Sequence, residues 1–127
     1  MDGIDAAENW LDAWVGQANA QAARSVELSR RVAALTGTAE SRDGAIRVTV
    51  GSAGQVERLD LDERVHELSG PRLAEEIVSV MRRAQTALSE RVAEEVQATV
   101  GADTETGRAV IHSFETRFPT VEREEDR

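Results

Sequence analysis

Hydrophobic positions along this chain repeat with two different periods. From Ile4 to about Leu35 the period is helical: Leu11, Val15, Ala18, Ala22, Val26, Ser29 and Val32 return at spacings of three and four. No proline interrupts the segment. Its Ala-rich middle, QANAQAA, favours helix and lets another helix approach closely. At 1.5 Å per residue this predicts a helix roughly 45 Å long, more than a small sheet can cover.

The period then drops to two. Ile46, Val48 and Val50 alternate with Arg47 and Thr49, which puts three β-branched side chains on one face of a strand. Asp43-Gly44 before them predicts a tight type I′ reversal with positive φ at both residues, leading back to a weaker strand around Thr38 to Arg42. Gly51-Ser52-Ala53-Gly54 allows a second reversal, and Leu59 and Leu61 alternate with Arg58 and Asp60 in a third strand. The product is a three-stranded antiparallel meander with one apolar face, and that face needs a cover.

The polar run from Asp62 to Leu68 reads as a connection. The helical period resumes with Leu73, Ile77, Val80, Met81, Ala84, Leu88, Val92 and Val96, ending near Val100. Ser69 is the expected N-cap, Pro71 fits the first turn, and Gly101 is the stop. A short amphipathic segment follows, with Val110, Phe114 and Phe118 on one face until Pro119. The last residues, VEREEDR, are charged and read as a disordered tail. The expected division is a domain over 1–101 and an extension over 102–127.

Composition narrows the functional classes. The length suits one domain, and with no cysteine there is neither a disulfide framework nor a thiolate metal site. No apolar run is long enough to span a membrane, and the acidic start is unlike a signal peptide, so a cytoplasmic protein is expected. Two Phe, two Trp and no Tyr argue against base stacking on aromatic platforms. Trp10 and Trp14 share one helix face and read as an interface anchor.

Charge cuts both ways. Twenty-four acidic residues against 15 basic ones give −9, unlike a simple basic nucleic-acid module. Every basic residue is arginine, in keeping with GC-rich coding, so no arginine is singled out for its type alone. The basic residues are nonetheless clustered: Arg24, Arg30 and Arg31 on the first helix, and Arg82 and Arg83 on the second, with Arg91 two turns on. These are the candidate phosphate contacts; the competing reading pairs them with Glu27, Glu90 and Glu94 on a solvated face.

Catalytic signals are weak. His66 and His112 lack metal or triad spacing, and no G-x-S-x-G elbow occurs. GSAG lies between strands with no lysine after it, which makes it a turn rather than a phosphate loop. Glu75-Glu76 and Glu94-Glu95 are sequence neighbours that point apart on a helix. No enzyme activity, metal, cofactor or small-molecule substrate is expected.

The segments DGAIRVTVGSAGQVERLDLDERV and LAEEIVSVMRRAQTALSERV, in the order helix, meander, helix, resemble the YbaB/EbfC family of bacterial nucleoid-associated proteins. The likeness rests on a Gly followed by a V-T-V strand, a Gly-containing turn, an L-x-L-D strand and a long helix. It covers about Leu11 to Val100. The resemblance implies an α+β fold (α-β-β-β-α) in an intertwined homodimer, with a short helical extension added here. Double-stranded DNA, bound with little sequence preference at the nucleoid, is the implied partner. The expected shared core comprises Ile46, Val48, Val50, Leu59, Leu61, Leu73, Ile77 and Met81. The alternative is a protein-interaction homodimer on the same fold, an accessory or chaperone-like partner of the kind that accompanies type VII secretion in high-GC bacteria. The excess acid and the ETGRAVIHSFETRF extension favour that alternative.

Overall fold

The computed structural model describes the backbone of residues 2–119 and the side chains of residues 5–119. The expected tail from Val121 lies outside the described residues. In chain order the elements are α1 (Asp2–Ala33), β1 (Gly37–Glu40), β2 (Ile46–Val50), β3 (Val56–Leu61), α2 (Gly70–Thr99) and α3 (Glu105–Arg117). The three strands form one antiparallel sheet in the order β1-β2-β3. This is the expected α+β architecture, with the extension folded as α3.

The hairpin between β1 and β2 differs from the expected type I′ turn. Gly44 alone has positive φ (74°), and no non-glycine residue does. The Gly44 amide donates to the Ser41 carbonyl at 2.9 Å, closing a turn in which Gly44 takes the left-handed position. Asp43 contributes through its carboxylate instead, accepting from Ser41 Oγ at 2.8 Å and the Ala45 amide at 3.0 Å. These bonds keep the Asp43 carboxyl below its usual pKa, the Ala45 amide first among the causes.

Gly37 is required by packing. It opens β1, and a Cβ there would lie 2.2 Å from the Ala84 carbonyl oxygen. Its missing side chain lets β1 press directly onto α2. The polar connection after β3 is a 3-10 helix, Glu63–Glu67, capped by Asp62 and anchored by buried Val65. Ser69 caps α2 as expected, accepting from the Arg72 amide at 3.3 Å, and Gly101 leaves the helix at φ 87°.

The buried row of α2 is Val80, Ala84, Leu88, Val92 and Val96. Steps of four drift about 40° around a helix each time. The row therefore faces the sheet in its first half and the other helices in its second. Ile46, Val48 and Val50 form the sheet's side of the core, and Leu28 and Phe114 join it from α1 and α3. On α1 the expected stripe shifts: Val26 is exposed, whereas Leu28, outside that stripe, is only 3% exposed. Leu28, Val32 and Leu35 lie on the side that meets α2. Residues 5–24 of α1 are exposed throughout and project as an arm.

Candidate nucleic-acid interface

The last three turns of α1 carry three arginines, two of which gather around one acid. Glu27 stands three residues before Arg30 and four before Arg31, where helix geometry brings side chains together. Arg30 Nη2 reaches a Glu27 oxygen at 2.5 Å and Arg31 Nε reaches the same oxygen at 2.8 Å. These hydrogen bonds, Arg30 first, hold the Glu27 carboxyl down to about 2 and raise the pKa of both guanidinium groups. Arg31 also approaches Glu95 at 3.6 Å, tying α1 to α2. Arg30 keeps 71% of its side chain exposed. Exposed pairs of this kind contribute little stability, so a phosphate can replace Glu27 as partner.

Arg82 and Arg83 part company on α2. Arg83 donates to the Glu40 carbonyl at 3.0 Å, and Arg91 donates to the Thr36 carbonyl at 2.8 Å. Both arginines thus satisfy carbonyls at the open edge of β1, which pairs only with β2. Arg82 and Arg24 are exposed, and no hydrogen bond or ion pair joins either side chain to another described residue. Of the five expected contacts, two are unengaged, two share Glu27 and one holds the sheet edge.

A second arginine group has no signature in the sequence. Arg42, Arg64, Arg72 and Arg83 line one cleft of about 310 Å³ beside the 3-10 helix. Asp43, Glu67 and Glu76 line it too, and Arg64 and Arg72 already pair with Asp62 and Glu76. Those residues are spread over four segments, so no local spacing could have revealed the group.

The residues expected in a shared core fall into three sets. Ile46, Val48 and Val50 are buried within the chain itself, while Leu73, Ile77 and Met81 are half-buried on a flank of α2. Leu59 and Leu61 stand opposite Val48 and Ile46 in register, hence on the same sheet face. Yet they are 43% and 44% exposed, because α2 packs mainly over β1 and β2. Val56, opposite Val50 in register, is 46% exposed as well.

His66 and His112 are both exposed, and His112 Nε2 lies 3.5 Å from Thr116 Oγ1. Among the described residues no three His, Asp or Glu side chains are placed to hold a metal ion, and no helix is long and apolar enough to cross a membrane.

Residues 8–103 match the family described as YbaB/EbfC DNA-binding. No curated protein matches the chain.

Proposed function

The chain belongs to the YbaB/EbfC DNA-binding family, and from that premise we propose that it is a homodimer that coats double-stranded DNA at the nucleoid with little sequence preference. The family is nucleoid-associated and non-enzymatic. The dimer reading is supported by the open shelf of Leu59 and Leu61 beside the α2 flank of Leu73, Ile77 and Met81. A second copy laid against it would complete the sheet's apolar face. By analogy with obligate interfaces, total burial should exceed about 2,000 Å².

The observation that carries the DNA reading, beside the family, is the local charge at the end of α1. Arg24, Arg30 and Arg31 outnumber the acids near them, Glu27 and, from α2, Glu95, although the chain as a whole is at −9. A two-fold axis doubles that cluster, matching the pseudo-symmetry of a duplex. Contacts to phosphate carry no base information. Binding should therefore be weak, tolerant of sequence and steeply dependent on salt. A titration of the purified protein with duplexes of unrelated sequence, at ~50 mM salt and above, tests this. Equal affinities that fall together with salt support the reading. No binding even at ~50 mM salt, where non-specific contacts are strong, removes it and leaves the protein-partner alternative.

A further inference from the structure

The arm of α1 carries a large apolar surface that its own chain leaves open. Trp10, Leu11, Trp14 and Val15 are 65%, 50%, 58% and 46% exposed. At 100° per residue they share one face with Ala18 and Ala22. The same face, continued to the base of α1, lines a groove. This groove, about 360 Å³, is bounded by Ser25, Leu28, Ser29 and Val32 of α1 and by Val110 and Phe114 of α3. Its α3 wall lies beyond residues 8–103, so it is an addition to the family domain.

Resting on the homodimer reading, we infer that the α1 helices of two copies pair antiparallel along this face, crossing near Ala20, so that Trp10 and Trp14 of each arm fill the α1–α3 groove of the other. Distances along the helix agree. Trp10 and Trp14 precede Ala20 by about 15 and 9 Å, and Leu28 and Val32 follow it by about 12 and 18 Å, at 1.5 Å per residue. Small side chains at Ala18 and Ala22 meet at the crossing. With Trp10 and Trp14 65% and 58% exposed, covering the four indoles of a dimer removes at most roughly 600 Å² from water, up to about half of a standard interface of about 1,200–2,000 Å².

Charge selects the second copy and the direction. Between Asp5 and Ala23 the arm holds Asp5, Glu8 and Asp12 and no basic residue. Glu8, Asp12 and Arg30 lie along one flank of α1. In antiparallel helices like flanks face each other, so a crossing at Ala20 sets Arg30 of one copy between Glu8 and Asp12 of the other; in that arrangement Arg30 serves the dimer, and Arg24 and Arg31 remain as the phosphate contacts of its cluster. Parallel pairing would instead align the acids of the two arms, which repel.

The chain offers clean probes, because it has no cysteine and its two tryptophans are both on the arm. Leu11 and Ser29 are exposed and about five turns apart on one line of α1. Full-length Leu11→Cys and Ser29→Cys proteins should form a disulfide-linked dimer on oxidation when mixed, and neither should do so alone. Tryptophan emission of the unmodified dimer should be blue-shifted, as for buried indoles, and shift to the red on dissociation. If Leu11→Cys cross-links alone, the helices run parallel and the inference fails. A dimer by sedimentation whose mixed variants do not cross-link and whose emission is that of exposed indoles overturns the inference and leaves the homodimer standing. A monomer overturns both.

Discussion

Two halves of one amphipathic pattern meet different fates in this molecule. Along α2 the apolar row from Val80 to Val96 is fully covered by the sheet, α1 and α3. Along the α1 arm an equally regular apolar row, with larger side chains, is open from end to end. Periodicity alone cannot tell the two apart, because it states that a face is apolar and not what lies against it. The covered row carries the stability of the chain, while the open arm and the open shelf on β3 are apolar surface that the chain does not itself cover.

The widest separation between the halves is expected from charge insertion. Val48→Asp places an unpaired carboxylate in the packed half, at a cost of several kcal/mol. Thermal denaturation should show an unfolded or grossly destabilised protein, and an unchanged melting temperature would remove Val48 from the core. The boundary on α1 is next. Leu28→Ala should cost about 2–5 kcal/mol, whereas Val26→Ala, two residues away and exposed, should stay within about 0.5 kcal/mol. Equal effects in chemical denaturation would erase the distinction between base and arm.

Charge on the open shelf should act on assembly rather than folding. Leu59→Asp with Leu61→Asp should leave helical circular dichroism intact while sedimentation falls from about twice the chain mass of 13.8 kDa to that mass. A persistent dimer would move the interface elsewhere. A smaller effect is expected from Arg24→Ala with Arg82→Ala, which removes the two unengaged arginines. Affinity should fall alike for all duplexes, and the salt slope should flatten by about 0.9 for each phosphate that is no longer neutralised. An unchanged slope would place the phosphate-binding surface elsewhere.

The finest test concerns Glu27, at the junction of arm and base. Its folded pKa of about 2 lies below the ordinary 4.5. Its stabilising contribution is therefore complete above about pH 4.5 and is lost as pH falls through about 2. Carboxylate resonances followed by NMR should give a midpoint near 2, returning toward 4.5 in Arg30→Ala with Arg31→Ala. An ordinary midpoint in the unmodified protein would show that the pairs do not persist in solution.

Much of the fold was legible in advance, because its signals are local. Alternation at Ile46, Val48 and Val50, the cap at Ser69, the stop at Gly101 and the shared face of Val110, Phe114 and Phe118 depend on neighbours within a few residues. The family likeness draws on the same strand and helix patterns. Tertiary structure alone decided the rest. Whether Val26 or Leu28 turns inward depends on where α2 crosses α1. Gly37 is needed because the backbone of α2 lies against it, 47 residues along the chain at Ala84. Arg83 and Arg91 are drawn to carbonyls at the β1 edge, those of Glu40 and Thr36, 43 and 55 residues away. Leu59 and Leu61 alternate as clearly as the strand beside them, yet remain open because α2 stops short of β3. A repeating pattern determines which side of an element is apolar; only the packing of distant segments determines which part of that side is covered within the chain and which is left open.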